Sequence, residues 1–368
     1  MKVLISAGET SGDRLGAALM EELSRRRPDL AFFGMGGPRM LQAGLARDVD
    51  PAAISVVGLM EVLAKLPAVW RAERSLRRAI EREGPGVAIL IDFPDFHFRL
   101  GKRLARAGVP VVYYVSPQVW AWRAGRVATM RRFVRRMITL FPFETKIYRD
   151  AGIDAVFAGH PLADEVAERL RHPVAPPPPG RRRIALMPGS RPGEVRRHWP
   201  ILREAGKRLA ATHDADVVLV PAPGLGDEHF PGATESGIGF HRSDPESLLA
   251  SCDLLLVSSG TSTLQGALCG VPMVVVYRTS ALTYALARRL VRTPFIALSN
   301  IVAGAAVVPE LVQKAATAER VVAEASRILD SPEIADGIRR RWRDVRSALG
   351  PSGAAARAAL AVLEVLPA

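Results

Sequence analysis

The sequence predicts an α/β protein of two doubly wound lobes. Short apolar runs alternate with amphipathic ones, the alternation breaks once at a proline-rich stretch and then restarts, and 368 residues are too many for one ordinary core. In the first half, residues 3–6, 87–91 and 110–115 are apolar runs that each lead into a polar or glycine-bearing turn. Residues 15–26 and 100–107 are amphipathic, which gives a βαβ rhythm and a parallel sheet. Residues 172–183 read HPVAPPPPGRRR, and four consecutive prolines enter neither a helix nor a central strand, so a linker is expected there. Beyond it, residues 184–187, 216–220, 254–257 and 272–277 repeat the strand pattern. Residues 354–366 form an Ala/Leu-rich helix expected to cross back to the first lobe. The expected organisation is a first domain over 1–171, a linker over 172–183, a second domain over 184–339, and a return from about residue 340. Ligands are expected in a cleft facing the carboxyl ends of the strands.

Composition narrows the function classes. Hydrophobic residues make up 48% of the chain. Cys252 and Cys269 lie in apolar surroundings and are expected as reduced core residues, too few for a zinc site. The opening MKVLISAGE is too short an apolar run for a signal peptide and reads as a first buried strand. No run approaches the roughly 18 to 20 apolar residues of a membrane span. The net charge of +13 fits nucleic acid, an anionic membrane surface or phosphorylated small molecules.

The glycine-rich fingerprint of nicotinamide dinucleotide sites and the Walker phosphate loop are both absent. Asp48-Val49-Asp50 precedes a proline and is expected in a loop, so no metal site is assigned to it. The first strand runs into Ala7-Gly8-Glu9-Thr10-Ser11-Gly12-Asp13, where glycines allow a tight turn and Ser11 or Asp13 can cap the next helix. A second glycine cluster, Gly34 to Met40, follows Phe32 and Phe33. Ile91-Asp92-Phe93-Pro94-Asp95-Phe96 puts two carboxylates at a strand end, where they must be hydrogen-bonded or working. A carboxylate there suits a general base, with helix capping as the alternative for either one. Trp120 and Trp122, beside Arg123, can stack a sugar or fill a surface. In the second half, Pro188-Gly189-Ser190-Arg191 and Ser258-Ser259-Gly260-Thr261-Ser262-Thr263 each follow a strand and open a helix, which suits a diphosphate.

Taken in order, AGETSGD, GGPRM, IDFPDF, YVSPQVWAWR, LFPFE, GHPLAD, PGSR and SSGTSTL, then ALSN and VVPEL, resemble the motif set of the lipid A disaccharide synthase family. The resemblance implies a GT-B fold of two Rossmann-like domains facing each other across a cleft. It implies an inverting transfer of 2,3-diacylglucosamine from UDP to the 6-hydroxyl of 2,3-diacylglucosamine 1-phosphate, with no metal and no cofactor. The family's catalytic aspartate falls on Asp95, with Asp92 as its rival. The donor side comprises Ser190, Arg191, Ser259, Gly260, Thr261, Gln265 and Asn300, and the acceptor side Glu9, Ser11, Gly12, Asp13 and Trp120.

Three positions depart from the family pattern. Gln265 replaces a usual Glu, His97 a usual Asn, and Ala305-Ala306 a usual Arg-Glu pair. The expected partners are a UDP-activated acyl sugar, an acylated sugar phosphate and an anionic membrane surface. Nucleic acid is not expected, and a homodimer is left open. Residues 56–80 combine an apolar face with Lys65, Arg71, Arg74, Arg77 and Arg78, and arginines recur at 126, 131, 132, 135 and 136. Together they suit peripheral docking on the inner face of the cell membrane, from a cytoplasmic enzyme.

Overall fold

The computed structural model describes residues 1–53, 59–117, 125–290 and 293–366. Within them the chain divides into two compact units, Met1–Pro161 with Gly350–Ala368, and Leu162–Leu349.

The first unit is built on a seven-stranded parallel sheet. Its strands are β1 (Lys2–Ala7), β2 (Ala31–Met35), β3 (Ala46–Val49), β4 (Val87–Ile91), β5 (Val111–Tyr114), β6 (Arg136–Thr139) and β7 (Ala155–Phe157). They lie in the order β3-β2-β1-β4-β5-β6-β7. The run VAILI of β4 is buried throughout, as a strand covered by helices on both faces must be. Register pairs Val3 with Val87 and Ala88 with Val111. Strand order reverses between β1 and β4, so their carboxyl ends border the crevice that opens at a switch point.

The second unit repeats the plan with six strands. These are β8 (Arg182–Met187), β9 (Ala215–Leu219), β10 (Gly239–Phe240), β11 (Leu254–Ser258), β12 (Met273–Tyr277) and β13 (Glu310–Val312). Their order is β10-β9-β8-β11-β12-β13, all parallel, with the switch between β8 and β11.

Two boundaries differ from the sequence expectation. The proline-rich run belongs to the second unit: the Val174 N–H donates to Ser247 O at 3.0 Å, and Arg183 Nη1 to Ala175 O at 2.8 Å. The return to the first unit begins only after Leu349. Helix Pro332–Ala348 stays with the second unit because Trp342 is buried there and donates its indole N–H to Val271 O at 2.9 Å. Helix Ala354–Leu363 packs on helix Thr10–Arg26. Arg136 Nη1 fixes its end by donating to Ala361 O at 3.1 Å.

Candidate functional site

The carboxyl ends of β1 and β4 form the first rim. Register places Ala7 beside Ile91, so Glu9 and Asp92 leave adjacent strands together. Asp92 and Phe93 both adopt left-handed backbone, with φ of 48° and 49°, before Pro94 opens helix Pro94–Arg106. Non-glycine residues rarely do so, and two in succession make a strained turn. The Phe93 ring fills the space where a Cβ on Gly8 would sit, 2.3 Å from the nearest ring carbon. Gly8 is therefore glycine for the sake of Phe93, whereas the sequence suggested a tight turn.

The turn separates the two carboxylates. Asp92 is half-buried, and desolvation, helped by the nearby charge of Glu9, pushes its pKa up to about 6. Asp95 sits in the first turn of helix Pro94–Arg106, its side chain 84% exposed and paired with Arg126. Arg126 in turn lies over the Phe98 ring, 5.2 Å from its centroid. Beneath Asp92, its backbone carbonyl accepts from His97 Nδ1 at 2.6 Å and from the Tyr113 hydroxyl at 2.8 Å.

The expected acceptor-side residues divide. Glu9 and Ser11 are exposed at the start of helix Thr10–Arg26. Gly12 is buried against Ala7 and Ile91. Asp13 is also buried, and its two oxygens accept the Arg39 and Met40 N–H groups at 3.0 Å each. It thereby caps helix Pro38–Gln42, so its carboxylate is committed to tying the two glycine-rich loops together. Trp120 lies outside the described residues. Asp48, expected in a loop, lies in β3, and Asp48 and Asp50 pair with Arg82 and Arg47.

The second rim lies at the ends of β8, β11 and β12. Arg191 stands at the start of helix Pro192–His213, 70% exposed, and pairs with Glu194 at 3.1 Å. Glu194 also accepts the Ser190 N–H at 3.3 Å, so a carboxylate of the chain itself occupies this helix start. Gly260, with φ of 153°, leads into helix Thr261–Leu268, whose exposed start has no side-chain cap. The Ser259 hydroxyl donates to Ile296 O at 2.9 Å, joining this loop to the segment that carries Asn300.

Asn300, expected to meet the donor, is fully buried with its amide saturated. It donates to Val308 O and Glu310 Oε1 and accepts from Val307 and Val308 N–H, at 2.9–3.2 Å. Its role in this structure is to shape the loop behind the rim. The amide of Gln265 donates to Glu246, a buried carboxylate whose pKa burial raises. A carboxylate thus stands next to the position where the sequence has lost one.

Two rim residues escaped sequence reasoning. His198 Nδ1 donates to Pro188 O and its Nε2 accepts the Arg278 N–H, both at 2.9 Å, locking the ends of β8 and β12 together. Burial lowers its pKa and keeps it neutral. In sequence it is one polar position on an amphipathic helix and gives no signal. Arg278 presents an exposed side chain at the end of β12. Its only signal is a cation directly after a buried strand.

The family model described as lipid-A-disaccharide synthetase matches residues 3–361. The chain belongs to that family. A lipid-A-disaccharide synthase of Geobacter sulfurreducens is 43% identical over 99% of this chain and 97% of its own length. The Myxococcus xanthus synthase is 42% identical over 100% and 98%. Among solved structures, a calicheamicin glycosyltransferase superposes with a TM-score of 0.65 at 17% identity, covering 99% of this chain and 98% of the other. A UDP-GlcNAc 2-epimerase from Neisseria meningitidis gives 0.61 at 12%, covering 100% and 99%. At such identities the likeness establishes the fold, which is GT-B. The family member is a glycosyltransferase.

Proposed function

We propose that the enzyme transfers 2,3-diacylglucosamine from UDP to the 6-hydroxyl of 2,3-diacylglucosamine 1-phosphate, releasing UDP, with Asp92 as general base. The reading rests on one observation above all: the switch-point end of β4 holds a half-buried carboxylate whose proton affinity is raised. A base with a pKa near 6 is still ionised at neutral pH yet takes a proton better than an ordinary carboxylate. Asp95 is the sequence's first choice, but its carboxylate is exposed to solvent and already engaged by Arg126. The departing UDP is matched by Arg191, once it leaves Glu194, and by the start of helix Thr261–Leu268 after Gly260. Incubation with the UDP sugar and the acyl sugar phosphate should yield UDP and disaccharide in equal amounts. UDP release without disaccharide would point to a different acceptor.

Arg191→Ala is expected to weaken UDP binding at least about tenfold, since a charge-assisted contact contributes about 1.5 to 3 kcal/mol. The salt bridge to Glu194 must break first, which places the effect toward the lower end. Calorimetric titration measures it; an unchanged dissociation constant would assign Arg191 to the helix start alone.

Among the described residues no helix is long and apolar enough to cross a membrane. We place the enzyme peripherally on the inner face of the cell membrane, through helix Leu59–Glu83. The described part of its apolar face is committed to the first unit's core, where Ala72, Leu76 and Ala79 are buried. The side chains of residues 53–66, Lys65 among them, lie outside those described. What faces solvent is basic: Arg71, Arg74, Arg77 and Arg78, beside Trp70 at 69% exposure. Each such cation contributes roughly 1 kcal/mol near an anionic leaflet, and salt screens it. Changing Arg74, Arg77 and Arg78 to glutamate should weaken low-salt co-sedimentation with anionic vesicles. Trp70→Ala should remove the salt-resistant remainder. Equal binding to neutral vesicles would refute this placement.

A further inference from the structure

We propose that His97 and Tyr113 are positioning residues that hold Asp92 in its working orientation by gripping the carbonyl of the strained Asp92–Phe93 turn. The proposal rests on Asp92 being the base.

Left-handed backbone at two consecutive non-glycine residues persists only when its surroundings over-determine it. Here they do. The Asp92 carbonyl takes both donors on one oxygen, His97 Nδ1 at 2.6 Å and the Tyr113 hydroxyl at 2.8 Å, while the Asp92 N–H donates to Tyr114 O at 2.9 Å. His97 is itself fixed, because the Ser6 hydroxyl lies 2.8 Å from Nε2. With Ser6 donating there, the single ring proton is left on Nδ1, pointing at Asp92. Burial holds the pKa of His97 down to about 4, so the ring stays neutral and keeps this arrangement.

Packing closes the remaining freedom. His97 and Tyr113 are both fully buried. The rings of Phe93, Phe96 and Tyr113 surround the imidazole at centroid distances of 5.8, 5.8 and 6.3 Å. Strain also recurs one strand away: Val115, at the end of β5, has φ of 72°, an outlier for a β-branched residue. A buried histidine could be mere filling, but filling needs neither a Ser6 partner nor a second donor on the same carbonyl. Two donors, from β5 and helix Pro94–Arg106, converge on one backbone oxygen while Ser6 of β1 holds the imidazole, and that oxygen belongs to the residue proposed as base.

The test compares Tyr113→Phe, His97→Leu and His97→Asn, with kcat, KM and UDP affinity measured per folded molecule and melting temperature recorded separately. Tyr113→Phe removes one hydroxyl from an otherwise unchanged ring and should lower kcat about fivefold to tenfold, leaving UDP affinity unchanged. His97→Leu should cost kcat more, since both the donor and its Ser6 anchor are lost. In His97→Asn the amide nitrogen takes the place of Nδ1 and should restore most of the rate, although it does not reach Ser6. A purely structural role predicts lower melting temperatures with kcat within about twofold of wild type for every folded variant, and that result would overturn the proposal. If His97→Leu does not fold, Tyr113→Phe alone decides the matter by the same criterion. Asp92→Asn is assayed alongside. Full activity there removes the base and the clamp together, whereas an inactive Asp92→Asn with fully active clamp variants removes the clamp only.

Discussion

Replacing Asp92 by asparagine is expected to lower kcat by about 10²- to 10⁴-fold, the usual contribution of a general base, while UDP affinity stays within about twofold. Asparagine keeps the shape and the backbone turn but cannot accept a proton from the acceptor hydroxyl. Asp95→Asn is expected to cost less than about tenfold, since it removes an exposed carboxylate whose partner is Arg126. In the wild type, kcat/KM should rise with pH through a limb near 6, where Asp92 ionises. Burial sets most of that value and Glu9 adds to it, so Glu9→Gln should move the limb to lower pH. Kinetics of the three variants from pH 4.5 to 8.5 check each statement. Full activity of Asp92→Asn with an inactive Asp95→Asn would transfer the base to Asp95.

The same substitution should make the protein more stable at neutral pH. The carboxyl of Asp92 ionises near 6 in the fold against 3.8 in a free chain, and each unit corresponds to about 1.4 kcal/mol. A group whose folded pKa is raised favours the fold below its unfolded value and loses that advantage as pH rises through the folded value. Ionised Asp92 therefore costs the fold up to about 3 kcal/mol above pH 6 and nothing below about pH 4. Asp92→Asn should gain that amount at pH 7 to 8, with the gain fading between pH 6 and 4. His97 pulls the other way: its pKa is about 4 in the fold against 6.5 when free, so its contribution is complete above 6.5 and lost as pH falls toward 4. In the wild type the two trends oppose each other across one window. In Asp92→Asn only the histidine trend remains, and stability should fall by up to about 3 kcal/mol from pH 6.5 to 4. Urea denaturation of both proteins at four pH values measures this; a stability difference that does not change with pH would refute it. A base that weakens the fold it sits in is the usual exchange of stability for function.

The sequence by itself determined the two α/β halves, the central strands and the loops that carry the rims. Buried parallel strands are continuous apolar runs, so β1, β4, β8, β11 and β12 announce themselves, and PGSR and SSGTS follow directly after them. The edge strands β3, β7, β10 and β13 are two to four residues long, too short to show a pattern, and their pairing comes from neighbours. The unit boundary was not legible either, because four prolines exclude helix and strand but do not say which unit holds the segment; hydrogen bonds from Val174 and Arg183 do. Asp13 and Asn300 looked like ligand-facing polar residues, and only the contacts made by the fold, Arg39 and Met40 in one case and Val307 to Glu310 in the other, commit them to structure. The difference in environment between Asp92 and Asp95 comes wholly from the tertiary structure. Three residues apart in one motif, they differ because the chain turns left-handed at Asp92 and Phe93, against the local preference of both residues. That turn exists because His97, Tyr113 and the side-chain-free Gly8 accommodate it, and those groups come together only when the sheet forms.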